Sequence, residues 1–137
     1  MDQQLLSLPG YALRRAASAA GAELTSRLAP LGLKQASATI LLLLDANPCV
    51  TASALGRALD IQRANMVPLL KQLEESGLVS RTPIDGKSQA LELTHKGREI
   101  LGEVLKIVDS FESDLLARIP AEHRAHVLPA LNAIWRD

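Results

Sequence analysis

The residues best placed to do chemistry lie between Gln62 and Gln72, and the chemistry they suit is recognition of base edges. On a helical wheel at about 100° per residue, Met66, Leu69, Leu70 and Leu73 gather on one side, which should pack inward. Ala64, Pro68, Lys71 and Glu75 point the opposite way, with Asn65 and Gln72 flanking them. An asparagine amide can pair bidentately with adenine, and a small apolar residue can touch a thymine methyl. Asn65 has a second role open to it as a helix N-cap, since its side-chain oxygen can accept from nearby backbone N–H groups. Arg63 and Lys87 supply positive charge for phosphates, and Thr51, Ser53, Gln62 and Ser88 complete the candidate DNA-binding set.

Other chemistries fit less well. His123 and His126 stand three apart, a helical spacing that can bind metal, but no second pair of ligands accompanies them, so no metal site is expected. Cys49 is the only cysteine, which excludes an intrachain disulfide and a cysteine-based zinc cluster; beside Pro48 it reads as a small buried hydrophobe. Catalysis needs a nucleophile, a base and an electrostatic stabiliser that converge. The three histidines have no Ser or Asp pattern beside them, so neither an enzyme nor a cofactor is expected.

The elements that must position the Gln62–Gln72 face follow from punctuation and periodicity. After Pro9-Gly10, helix signals run from Tyr11 to about Leu28 and stop at Pro30 and Gly32. A second helix spans roughly Lys34 to Ala46; it is apolar nearly all round at Ile40–Leu44 and should be buried. Thr51 can cap a short helix with Ala54, Leu55, Ala58 and Leu59 inward, and Asp60-Ile61 turns the chain into the helix that carries Asn65. That helix ends at Gly77. The period then changes to two: Leu78 to Thr82 and Ser88 to Leu93 read as a hairpin around Asp85-Gly86, with Leu91 and Leu93 alternating against Ala90 and Glu92. An Arg81–Asp85 ion pair could stiffen it. Thr94 opens a long helix that Pro120 breaks, and a last helix runs to about Trp135. Two short helices joined by a tight turn and followed by a hairpin make a winged helix-turn-helix, whose second helix enters the DNA major groove.

Composition agrees with a mainly α fold. The 137 residues are 47% hydrophobic but only 2% aromatic, mostly Leu and Ala, which favours helix packed on helix. The apolar run Ile40–Leu44 is far too short to span a bilayer, and Met1-Asp2-Gln3-Gln4 lacks a basic signal region, so no membrane partner and a cytoplasmic location are expected. Net charge is zero, which does not by itself suggest nucleic acid. Its distribution is slightly uneven. Residues 34–98 hold eight Lys/Arg against six Asp/Glu, whereas residues 99–137 hold four against seven.

Four stretches together resemble the MarR family of dimeric regulators. They are Leu8-Pro9-Gly10-Tyr11-Ala12-Leu13-Arg14-Arg15, Leu28-Ala29-Pro30-Leu31-Gly32-Leu33, Leu73-Glu74-Glu75-Ser76-Gly77-Leu78-Val79-Ser80-Arg81 and Leu93-Thr94-His95-Lys96-Gly97-Arg98, in the family's order and spacing. The resemblance implies a single domain over 1–137: a winged helix-turn-helix over 34–98, with dimerisation helices over 1–33 and 99–137. It also implies a repressor that binds an inverted-repeat operator in double-stranded DNA and is released by a small molecule. A winged helix that docks a protein without DNA is the alternative.

Two departures from the family pattern stand out. The wing reads Asp85-Gly86-Lys87 where the family usually carries arginine, and lysine lacks the guanidinium fork. Pro68 sits in the recognition helix, which must either kink or start late with Asn65 as its N-cap. For the effector, resemblance implies an aromatic carboxylate or a related compound. Tyr11, Arg15 and Ser18 recur at i, i+4 and i+7 on the first helix, and Arg14 lies one position round. A guanidinium can clamp a carboxylate and a phenol can hydrogen-bond a ring substituent. The small residues Ala16 to Ala22 leave either room for such a ligand or a close approach of another helix.

Overall fold

Chain breaks fall where proline, glycine and capping side chains demand them. The computed structural model describes residues 2–137; Met1, counted in the expected N-terminal dimerisation segment, lies outside them. A short helix α1 (Gln3–Leu6) precedes α2 (Pro9–Leu28), so the N-terminal arm is itself partly helical. The first long helix begins at Pro9 rather than Tyr11, because a proline in the first turn gives up an N–H that would have no intrahelical partner. A 3₁₀ turn (Ala29–Leu31) and Gly32, at φ 70°, then reverse the chain into α3 (Gln35–Ala46).

Helix α3 is the buried axis of the fold, with Ser37, Ala38, Ile40, Leu41 and Leu44 all inside. Around it pack α4 (Ala52–Leu59), α5 (Arg63–Glu75), the hairpin and the first half of α6 (His95–Ala117). Strands β1 (Val79–Pro83) and β2 (Gln89–Leu93) pair antiparallel, Val79 opposite Leu93 and Arg81 opposite Leu91. The Leu91 N–H also donates to the Val50 carbonyl at 2.8 Å, so β2 runs between β1 and a one-residue bridge. Ala90 and Leu91 are both buried, and β2 is therefore covered on both faces rather than half-buried as its alternation predicts.

Two further expectations are corrected here. Cys49 is exposed, not buried: at φ 65° it makes the left-handed step that turns the chain from α3 into Val50. Ala58 is exposed rather than inward, because the inner side of α4 is narrow and centred on Leu55 and Gly56.

Helix α2 buries Leu28 alone, and α7 (Arg124–Trp135), which follows a 3₁₀ turn (Ala121–His123), buries nothing. The far end of α2 is tied to α6 by charge. Arg27 donates to Glu23 and to Asp114, both at 2.6 Å, and its guanidinium lies 5.7 Å from the centre of the Phe111 ring. Arg118 donates to the other Glu23 oxygen. The hydrogen bonds from Arg118 and then Arg27 hold the Glu23 carboxyl below the usual carboxylate range. No single helix among the described residues is long and apolar enough to cross a membrane.

Candidate nucleic-acid interface

The turn between α4 and α5 is fixed by one close approach. Asp60 adopts a left-handed conformation (φ 52°), and the Ile61 N–H donates to the Gly56 carbonyl at 2.9 Å. A Cβ on Gly56 would stand 3.0 Å from the Ile61 carbonyl and 3.4 Å from Met66 Cγ, so the turn lies directly on this glycine. The entry of the chain into α5 is thereby set at Gln62-Arg63.

That entry point decides the role of Asn65. Helix α5 starts at Arg63 with Gln62 at the N-cap position, and the Asn65 N–H donates to the Gln62 carbonyl at 2.9 Å. Asn65 is thus a residue of the first turn and not the cap, and Pro68 lies in the interior of the helix. The late start is ruled out. Met66, Leu70 and Leu73 are buried and Leu69 is half-buried, as the wheel predicts. Gln62, Arg63, Ala64, Asn65, Pro68, Lys71 and Gln72 are exposed. Lys71 stands 3.9 Å from Glu75 across a solvent-facing pair.

The wing is organised differently from the expected Arg81–Asp85 pair. Asp85 accepts from the backbone N–H groups of Lys87 and Ser88, both at 2.9 Å, and these two bonds hold its carboxyl below the ordinary range. Arg81 reaches the other way and donates to Glu74 near the end of α5, tying the wing strand to the helix. The reason is geometric: β1 packs against α5, so Glu74 lies beside Arg81, while Asp85 Oδ1 takes both backbone N–H groups of its own turn. Lys87 is exposed at the tip, and Ser88 is half-buried beneath it.

Two clefts flank the outward ridge of α5. One, of about 510 Å³, is bordered by Ser53, Arg57, Gln62, Arg63, Val67 and Arg81. The other, of about 300 Å³, is lined by Lys34, Asn65, Pro68, Leu69 and Gln72. Thr51 lines neither cleft; its hydroxyl accepts from the Ala54 N–H at 3.2 Å and caps α4. Arg57, Val67 and Arg81 were not among the residues expected here. The wheel places Val67 on the flank of the outward face, but a valine reads by default as core. Arg57 and Arg81 come from different elements, and only the fold brings them to one cleft.

Comparison with known proteins agrees with this architecture. A sequence model of the MarR family matches residues 33–87. The transcriptional repressor CouR, solved bound to a 23-mer DNA duplex, is 38% identical, with TM-score 0.88 over 97% of this chain and 96% of that one. The chain belongs to the MarR family. CouR bound to p-coumaroyl-CoA is also similar, at 36% identity and TM-score 0.89, over 100% of this chain and 98% of that one. The MarR family protein Rv2887 of Mycobacterium tuberculosis, in complex with salicylic acid, is 26% identical with TM-score 0.74, over 93% and 96%. A protein of Thauera aromatica named for transcriptional regulation of the hcr operon is 31% identical over 66% of this chain, which spans 56% of that relative's length.

Two of the four MarR-like stretches are explained by what they touch. Leu73–Arg81 and Leu93–Arg98 meet at the base of the wing: Thr94 Oγ1 donates to the Gly77 carbonyl at 2.5 Å, and the Thr94 N–H donates to the Leu78 carbonyl at 3.0 Å. Thr94 Oγ1 also accepts from the Gly97 N–H at 3.0 Å, and Lys96 Nζ donates to the Ser76 carbonyl at 3.0 Å. A Cβ on Gly97 would overlap the Leu78 carbonyl, so only glycine lets α6 begin this close to β1. These bonds lock the end of α5, the hairpin and the start of α6 into one body.

The expected effector residues all lie on α2. Arg14, Arg15 and Ser18 are exposed on α2, Tyr11 is half-buried, and the Arg14 guanidinium sits 5.9 Å from the centre of the Tyr11 ring. None of the four lines either cleft described above. Among the described residues no group of three or more His, Cys, Asp or Glu comes together. His95 pairs with Glu99 at 3.0 Å, and His123 stands 4.0 Å from Glu122.

Proposed function

We propose that this chain is a DNA-binding transcriptional repressor, acting in the cytoplasm as a homodimer on an inverted repeat and released from it by a small molecule. The observation that carries the reading is the outward ridge of α5. Arg63 and Asn65 stand exposed on a helix whose entry is set by the Gly56 turn and whose far end is bonded to the wing strand through Arg81 and Glu74, and Lys87 is exposed at the wing tip. CouR and Rv2887 are relatives that carry DNA in solved complexes. In this reading Asn65 reads an adenine edge, Ala64 and Pro68 approach the groove floor, and Ser53, Gln62, Arg63, Lys71, Lys87 and Ser88 contact phosphates or bases. Thr51 contributes by capping α4. No catalytic role is assigned.

A mobility-shift titration tests the DNA-facing residues. Asn65→Ala should weaken binding by about 1–3 kcal/mol and relax preference at one position in each half-site. Lys87→Ala should weaken binding to every sequence and make the salt dependence of the affinity shallower by about one charge per subunit. An Asn65→Ala protein that binds its best duplex with unchanged affinity and selectivity would remove Asn65 from the reading.

For the effector we propose the α2 face of Tyr11, Arg14, Arg15 and Ser18, facing the space that a partner subunit closes. Rv2887 holds salicylic acid and CouR holds p-coumaroyl-CoA, and both ligands carry an aromatic ring and negative charge. An aromatic carboxylate or a related compound suits a guanidinium clamp beside a phenol. To shift DNA occupancy it must favour the free form by about 1–3 kcal/mol. A thermal-shift screen of aromatic acids should find compounds that raise Tm in the wild type and lose their effect in Arg14→Ala or Arg15→Ala. If both variants respond as the wild type does, the effector binds elsewhere.

A further inference from the structure

Val67 is 57% exposed on the outward flank of α5, on the same helix whose inner face buries Met66, Leu70 and Leu73. With Ala64 and Pro68, both exposed, it forms one patch, because residues three and four apart on a helix are neighbours. Neither Val67 nor Pro68 is there for the helix itself. A β-branched residue and a proline are both poor choices for a helix interior, and neither is repaid by burial in this chain. The patch is three residues across and is bordered by Arg63, Asn65 and Lys71. A protein-docking surface would need a much broader apolar area.

We propose that Val67, supported by Ala64 and Pro68, is a specificity-determining residue that reads thymine methyl groups in the major groove. This rests on the DNA-binding reading above and adds to it which base the apolar ridge selects. The floor of the major groove is otherwise a row of hydrogen-bond donors and acceptors, and the thymine C5-methyl is its one apolar projection. Ala64 and Pro68 have no long side chain to hold the helix away from the bases, which leaves the exposed Val67 methyl groups, on the flank of the ridge, within reach of the groove floor. Asn65, which borders the patch, would take the hydrogen-bonding edge of a neighbouring adenine.

The test removes the methyl and nothing else. The wild-type protein selects its best duplex from a random library, and each thymine of that duplex is then replaced singly by deoxyuracil. One or two positions per half-site should weaken binding about fourfold each, the worth of one buried methyl group. In Val67→Ala, whose Tm should match the wild type because the side chain is exposed, the penalty at the position beneath residue 67 should fall below about twofold. The other positions should keep theirs. Uracil duplexes that all bind like the parent, or a Val67→Ala protein that keeps the full uracil pattern, would overturn the assignment while leaving DNA binding intact. Failure to select any duplex would remove both.

Discussion

Gly97→Ala should destabilise the protein by at least about 3 kcal/mol and lower Tm by roughly 10 °C. The added Cβ would overlap the Leu78 carbonyl, and that backbone has little freedom to move. Its carbonyl accepts from the Thr94 N–H at 3.0 Å, and the Leu78 N–H donates to the Leu73 carbonyl at 3.0 Å. To admit the methyl group, the start of α6 must shift away from β1, breaking the Thr94 bonds to Gly77 and Leu78 that close the base of the wing. Gly102→Ala is the matched control, on the same helix with nothing within 4 Å of the added atom. There alanine should raise stability by about 0.5–1 kcal/mol, since it restricts the unfolded chain and favours helix. Thermal denaturation followed by circular dichroism reads both. Variants that move Tm in the same direction would mean that the close approach at Leu78 is not what requires glycine.

The second large effect concerns assembly. Leu128, Ile134 and Trp135 on α7 are 67%, 66% and 71% exposed, and Leu5, Leu6 and Leu8 at the other terminus are exposed as well. A monomer gains nothing from such a helix, whereas two copies can bury these faces against one another. We therefore expect residues 2–33 and 99–137 to form a homodimer interface of about 2,000 Å² or more. Leu128→Asp combined with Ile134→Asp should leave the fold of each chain intact, because α7 holds no buried residue, and should give a monomer in sedimentation at low micromolar concentration. Affinity for a two-half-site operator should then fall by about 10²–10⁴-fold, the advantage that linking two binding modules confers. A wild-type protein that sediments as a monomer, or a double variant that remains a dimer, would contradict this.

Much of the architecture is legible in the sequence because it rests on local chemistry. Proline and glycine end α2, Thr51 and Thr94 cap α4 and α6 as their hydroxyls require, and the change of period after Gly77 marks the hairpin. The inward set Met66, Leu70 and Leu73 follows from helical geometry alone. The candidate DNA-facing residues on α5 follow with it, since a helix that buries one side must expose the other. Four short stretches carry the family resemblance without any knowledge of what they touch.

Local chemistry along the chain thus places each helix start and stop to within a few residues, the side of α5 that faces the core, and the winged-helix order. The rest depends on contacts between distant parts of the chain. Asn65 is not a cap because Gly56 admits the Asp60-Ile61 turn closely enough to start α5 at Arg63. Arg81 bonds Glu74 rather than Asp85 because β1 lies along α5, and Asp85 finds its partners in its own turn. Cys49 is exposed because Val50 must reach β2, and Gly97 is indispensable only because Leu78, far away in sequence, passes beside it. Caps, breaks and periodicity act over a few residues and can be read along the chain. Burial, close approach and the choice between two ion-pair partners depend on residues that only folding brings together.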